Sequence, residues 1–286
     1  MQNATMDGIA PDGSPVEMYL SLPAAPDLDV VRSVVGTAAS ILDLGCGVGR
    51  LANPLAEDGH QVAAVDESHE MLACLHGPEP VHADVWQLDL GRRFDVVLAM
   101  SHLINDRSTL RGLQLLRVCR RHVHHNGIVL IQRYPPQWLP APSTATIGPV
   151  EVDLHDVVIL DDGFSAAVTY SIGPRSWVQH FDGRTINDGE LQAMAAATGF
   201  NVREALDDAN EWIVLEPTVL GNGQEAGSFW HLGRRLIVHL WDNASGERCR
   251  NTAVRTPVST QTAGERGVTR SNSTVSPELH SIREPG

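Results

Sequence analysis

A chain of 286 residues with 42% hydrophobic and 20% charged side chains has the apolar material for one full core plus an appendage, and none of its apolar runs approaches the ~20 residues that span a bilayer. The formal net charge of −14 speaks against a nucleic-acid partner, because proteins that grip a phosphate backbone concentrate positive charge. Four cysteines (Cys46, Cys74, Cys119, Cys249) lie far apart with no C-x-x-C pair, and Met1 to Ala10 has no signal-peptide pattern, so a reducing, cytoplasmic setting is expected.

Asp12 to Tyr19 begins as a turn and runs into a short helix. The first strand is Ile41 to Leu44, and it ends in Gly45, Gly47 and Gly49, after which Leu51 to Leu55 starts a helix. Glycine there lets the backbone take positive φ and lets a ligand lie against the main chain, close to the free N–H groups of the helix start. A dinucleotide-binding loop needs a small residue where this chain has Arg50. Asp43, just before the loop, would repel a pyrophosphate and attract an ammonium group. The run Asp43-Leu44-Gly45-Cys46-Gly47-Val48-Gly49 resembles motif I of the class I S-adenosylmethionine-dependent methyltransferases. That resemblance implies a loop in which Gly45, Cys46, Gly47 and Gly49 lie along the cofactor and Asp43 holds its ammonium. It also implies an N-terminal segment folded over the ligand, with Tyr19 as an aromatic wall beside the sulfonium.

Gln61 to Val65 forms the second strand and ends in Asp66 and Glu67. An acidic side chain about 20 residues beyond a glycine loop is where nucleotide-binding sheets grip ribose hydroxyls; a surface aspartate is the plain alternative. Ser68 caps a helix predicted through Leu75. Val81 to Val85 reads as a third strand containing Asp84. The resemblance gives Asp84 the adenine amine and Val85 a backbone contact to the ring, which suits an acceptor-only carboxylate, with a loop cap as the alternative.

Phe94 to Met100 is nearly all apolar, as a strand covered on both faces should be, and it breaks at Ser101 and His102. Strand exits of this kind hold ligands in open α/β sheets. Ser101 is therefore assigned to the cofactor boundary and His102 is the candidate general base, against the commoner structural role of a lone histidine. Leu110 to Val118 has helical spacing, and the cations that follow, with Asn126 and Gly127, read as its C-terminal end. His122, His124 and His125 lack carboxylate or cysteine partners at ligand spacing, so no metal is expected.

Gly127 to Arg133 is the fifth strand, ended by Tyr134 and two prolines. Runs at Val152 to Leu160, Ala166 to Ile172 and Ser176 to Phe181, separated by turn residues, then imply a small antiparallel insertion over about 150–185. In the resembling family such an insertion commonly caps the substrate or makes an oligomer contact, and the first use makes Tyr134, Trp177, His180 and Arg184 the acceptor candidates. Core packing for Trp177 and a solvated rim for Arg184 are the alternatives. A helix from Asn187 to Gly199 and strands at Phe200 to Ala205 and Glu211 to Glu216 resemble the closing unit of small-molecule methyltransferases.

The fold expected is thus α/β: a Rossmann-like, mainly parallel seven-stranded sheet flanked by helices, its last strand reversed, with the antiparallel insertion. The methyltransferase domain is assigned to residues 1–217 and a C-terminal extension to 218–286. Within the extension Phe229 to Trp241 is apolar enough for one helix or strand, and Ala244 to Gly286 has the composition of a disordered tail. The resemblance implies S-adenosyl-L-methionine as cofactor and methyl transfer to an oxygen or nitrogen of a small metabolite. A non-catalytic cofactor-binding protein, a nicotinamide oxidoreductase and a nucleic-acid methyltransferase are the rival classes.

Overall fold

The computed structural model describes residues 8–218. Two short helices, α1 (Val16–Ser21) and α2 (Asp27–Val34), precede a first sheet built from β1 (Ser40–Leu44), β2 (Gln61–Asp66), β3 (Glu79–His82), β4 (Phe94–Ala99) and β5 (Val123–Gln132). Helices α3 (Ala52–Glu57), α4 (His69–Leu72) and α5 (Thr109–His122) make the crossovers. After a second sheet, β6 (Ser143–Ile147), β7 (Val150–Leu160), β8 (Gly163–Ile172) and β9 (Arg175–Gly183), the chain returns through α6 (Asp188–Ala197) to β10 (Phe200–Ala205) and β11 (Trp212–Pro217).

The seven strands of the first sheet lie in the order β3-β2-β1-β4-β5-β11-β10. The first five are parallel, and β11 runs antiparallel to both β5 and β10. The order reverses between β1 and β4, so the carboxyl ends of these neighbours open a crevice where their following loops diverge. Alternation along each strand sends side chains to two apolar layers. Leu42, Leu44 and Val97 pack with Leu113 and Leu116 of α5 and Leu191 of α6, whereas Ile41 and Leu98 pack with Val31 of α2 and Leu55 of α3. Asp43 falls at a buried strand position otherwise reserved for apolar residues.

The second sheet is antiparallel throughout, in the order β6-β7-β8-β9. Its strand β6 and the helix α2 lie outside the elements expected from the sequence. Other differences are local. The third strand stops at His82, and Asp84 instead caps a turn of 3-10 helix at Val85–Gln87. Asn126 and Gly127 do not end α5, which stops at His122; they lie inside β5, where a Cβ on Gly127 would come within 2.5 Å of the Asp95 carbonyl oxygen. The Phe229 to Trp241 run and the expected tail from Ala244 lie outside the described residues. Among the described residues no helix is long and apolar enough to cross a membrane, and no group of three or more His, Cys, Asp or Glu side chains is placed to hold a metal ion.

Candidate active site

The crevice at the β1/β4 switch point is a two-lobed cleft. Gly45 and Gly47 line both lobes, as do Asp12, Tyr19 and Ser101. One lobe, of about 330 Å³, runs toward β2 and β3 and adds Asp66, Glu67, Met71, Asp84, Val85 and Trp86. The other, of about 660 Å³, runs beneath the antiparallel sheet and adds Asp43, Cys46, His102, Gln132, Tyr134 and Tyr170.

The glycine loop is held open by hydrogen bonds at its base. Gly45 and Cys46 both donate to the Val65 carbonyl at 2.9 Å, and Gly47 donates to Asp66 Oδ2 at 2.8 Å. Gly45 and Gly47 both have positive φ, 72° and 54°. A Cβ on Gly45 would strike Leu103 at 2.7 Å, while one on Gly47 would meet nothing within 4 Å. A ligand can therefore lie directly along the main chain there. Gly49 plays another part: its φ is 81° and a Cβ would run into Leu75 and Asn53, so its missing side chain serves packing behind the loop.

Asp66 uses both carboxylate oxygens to shape this wall, accepting from Gly47 and, through Oδ1, from the Ser68 N–H at 2.9 Å. Carboxylate lone pairs remain to accept from ligand hydroxyls. Asp84 is committed similarly, to the Trp86 N–H at 2.8 Å and to Gln87 Nε2 at 2.7 Å. Trp86, which sequence reasoning passed over, forms the end wall with Arg111, whose guanidinium carbon sits 5.3 Å above its ring. Asp43 is 2% exposed. Burial raises its carboxyl to about 7, with Arg50 pulling down and Asp66 adding to the rise. A buried carboxylate is costly unless a cation meets it, and Arg50 is itself engaged by Asp27 at 2.6 Å.

At the exit of β4 the backbone is strained. Ser101 and His102 are consecutive non-glycine residues in the left-handed region, with φ of 52° and 61°. Such conformations cost ~1–3 kcal/mol each and gather at functional sites. They turn the His102 ring onto Tyr134, stacked at 4.2 Å, and Tyr134 in turn stacks on Trp138 at 4.5 Å. His102 Nδ1 is buried and has no hydrogen-bond partner among the described residues. Burial also lowers the imidazole to about 4, so it is neutral at physiological pH. A histidine that accepts a proton at one nitrogen needs a partner for the N–H at the other, and His102 has none. These features work against the general-base role expected for it.

Of the acceptor candidates, only Tyr134 lines the cleft. Trp177 is half-buried farther along β9, with Arg175 over its ring at 5.9 Å, and does not reach the cleft wall. His180 is exposed, because β9 sends Gln179 and Phe181 to the cleft and the residue between them to the opposite face. Arg184 pairs with Glu190 at the start of α6 and lines a separate groove. Gln132, Tyr170, Gln179 and Phe181 take the place of those three. Strand alternation marks Gln179 and Phe181 as sharing a face, but nothing local to the sequence says which face the cleft adopts.

Residues 41–127 match the protein family described as a methyltransferase domain. Among curated proteins the chain is 32% identical over 133 residues to dTDP-3-amino-3,6-dideoxy-alpha-D-glucopyranose N,N-dimethyltransferase of Streptomyces fradiae, covering 43% of this chain and 50% of that protein. It is also 32% identical over 113 residues to the ubiquinone biosynthesis O-methyltransferase of Bradyrhizobium diazoefficiens, covering 34% of this chain and 41% of that one. The chain thus spans half or less of the length of these two relatives. Among solved structures, the CcbJ methyltransferase from Streptomyces caelestis superposes with a TM-score of 0.56 at 21% identity, covering 75% of this chain and 92% of that chain. An S-adenosylmethionine-dependent methyltransferase from Clostridium acetobutylicum gives the same TM-score at 16% identity over 68% of this chain and 90% of that one. The 41–127 match and the strand order together give this chain a segment like a methyltransferase domain, set in the fold of these solved methyltransferases.

Proposed function

We propose that this protein binds S-adenosyl-L-methionine in the two-lobed cleft and transfers its methyl group to an oxygen or nitrogen of a small molecule. The observation that carries this reading is the continuity of the cleft. The backbone-lined glycine loop separates a lobe edged by Asp66 and Asp84 from a lobe containing Asp43 and roofed by the second sheet. The residues present fit the cofactor: a cradle into which a Cβ on Gly47 would project, carboxylates at or just after two strand ends, and a buried acid suited to an ammonium group.

When bound, the cofactor supplies a methyl group already activated by its sulfonium. The chain must hold donor and acceptor in line and exclude water. Asp66 and Glu67 would hold the ribose, Asp84, Val85 and Trp86 would enclose the adenine, and Asp43 would meet the methionine ammonium. Ser101 and Tyr19 line both lobes, and Tyr134 and His102 would flank the acceptor beneath the antiparallel sheet. Alignment of this kind can contribute ~7–11 kcal/mol of the barrier. The expected partner is a small molecule; the acidic net charge and a cleft roofed by the second sheet both favour one over a polymer.

Titration calorimetry of the full chain with S-adenosylmethionine, S-adenosylhomocysteine and NADH tests the reading. Micromolar binding of the two adenosyl ligands without NADH is the expected result. Binding of NADH alone would overturn it, and binding without methyl transfer to any acceptor would favour the rival reading of a non-catalytic cofactor-binding protein.

A further inference from the structure

We propose that the methyl acceptor is a weakly basic amine carrying neither phosphate nor carboxylate, held against the tyrosine wall of the larger lobe. This rests on the methyl-transfer reading above and adds what the lobe's own groups demand of the acceptor.

The chain has three tyrosines, and all three line this lobe. Tyr19 and Tyr170 share a side-chain hydrogen bond, and burial pushes every one of the three phenols up, Tyr134 to about 12. They stay protonated and offer neutral hydroxyls and ring faces. Each acid lining this lobe already has a partner or, for Asp43, one assigned to it above. Asp12 accepts from both the N–H and the hydroxyl of Ser14, at 2.9 and 2.7 Å; Asp27 holds Arg50; Asp43 lies on the glycine-loop side. His102 is neutral and its buried Nδ1 has no partner to stabilise a second proton. An attacking alcohol would therefore have to draw its base from a carboxylate that already has a partner or, for Asp43, one assigned to it above.

An amine needs no such group. Its lone pair forms the N–C bond to the methyl carbon as the C–S bond breaks, and the sulfur departs as a neutral thioether holding that electron pair. The positive charge passes to nitrogen, and the surplus proton leaves afterwards to water. The nucleophile must only arrive unprotonated. An apolar, aromatic lobe favours the neutral form, and the cost is smallest when the ammonium titrates near neutrality, as an α-amino group does at ~7.7–8.0.

Charge narrows the acceptor further. Among the described residues lining this lobe the one Lys or Arg is Arg50, and it is bound to Asp27 and to the Pro23 carbonyl at 3.1 Å. No cation is left to receive a phosphate or carboxylate on the acceptor, and burying an unpaired anion there is costly.

The test uses the full chain with S-adenosylmethionine and matched acceptors. Methyl glucosaminide and para-anisidine are the amines, methyl glucoside and para-methoxyphenol their hydroxyl counterparts, and glucosamine phosphate and para-aminobenzoate their anionic forms. S-adenosylhomocysteine release and the mass-spectrometric position of the methyl group are read. The expected result is N-methylation of at least one uncharged amine, faster than its hydroxyl counterpart by roughly 100-fold or more, the rate an alcohol loses without a free base, and faster than its anionic form. Comparable O-methylation, preference for an anionic acceptor, or no transfer to either uncharged amine by a protein that binds S-adenosylhomocysteine would overturn the inference. Failure to bind S-adenosylhomocysteine would instead remove the methyl-transfer reading on which it rests.

Discussion

At the scale of single residues the site turns on Asp43, an acid that the fold keeps poised between its two states near neutral pH. Its carboxyl is raised from 3.8 to about 7 by burial, so across that window the folded chain holds a proton that the unfolded chain has released. Stability from this group therefore falls as pH rises from 3.8 to about 7. Asp43→Asn should stabilise the protein by on the order of 2–4 kcal/mol at about pH 8, with the gain vanishing near pH 4. Urea denaturation at both pH values measures it, and an equal effect at the two would refute the assignment. On the reading proposed above, the same acid would make cofactor binding proton-linked. Pairing with an ammonium requires the carboxylate, so complex formation below about pH 7 should release a proton and affinity should climb by up to about tenfold per pH unit, flattening above. Calorimetry in buffers of different ionisation enthalpy reads the proton directly; no release would remove Asp43 from the ammonium. His102 offers the converse case. Asparagine tolerates its left-handed backbone, so His102→Asn should lower kcat by less than about tenfold, whereas loss of a general base would cost ~10²–10⁴-fold.

At the scale of elements, the glycine loop works because its three glycines do different jobs. Gly47 opens the backbone to the cleft, Gly45 makes room for Leu103, and Gly49 lets Asn53 come in behind, where Asn53 donates to the Val48 carbonyl and accepts from the His76 N–H. Gly49→Ala should cost ~1–3 kcal/mol through positive-φ strain and the clash with Asn53 and Leu75. A thermal melt checks it, and a variant as stable as the parent would show that the loop can relax. The strand-to-glycine-loop transition and the acids ending or following β2 and β3 were legible in the sequence because strand, turn and helix start each leave a local pattern. The helix α2 was not, since its eight residues follow Pro23 and Pro26, which read locally as a turn. Nor was the edge strand β6, whose residues are all exposed and carry no alternation to detect. His180 and Arg184 show the other limit: residue type suggested a pocket, but the face of β9 and the ion pair with Glu190 are set by tertiary packing.

At the scale of the whole molecule, the cleft exists only where two sheets meet, and one buried side chain joins the segments that define it. Asn105, 2% exposed, follows the strained exit of β4. Its Nδ2 donates to the Arg184 carbonyl at 2.7 Å and its Oδ1 accepts from the Tyr134 N–H at 3.0 Å, while its own carbonyl accepts from the Arg184 N–H. It thereby fixes the end of β5, with Tyr134, against the chain leaving β9. The parallel sheet and its strand order follow from alternating strand and helix patterns that any reading of the sequence finds, but this junction depends on contacts 29 and 79 residues apart. Asn105→Ala leaves a part-buried N–H and a part-buried carbonyl without that partner, a loss of about 2 kcal/mol. Melting temperature should fall by roughly 4–8 °C. The cofactor lobe is built from β1 to β4 and their loops, so S-adenosylhomocysteine affinity should stay within about threefold of the parent, while methyl transfer, which needs Tyr134 and the roof in register, should drop by more than about tenfold. Equal losses in cofactor affinity and turnover would mean that the two lobes do not separate donor from acceptor, and would return the acceptor's place in this cleft to question.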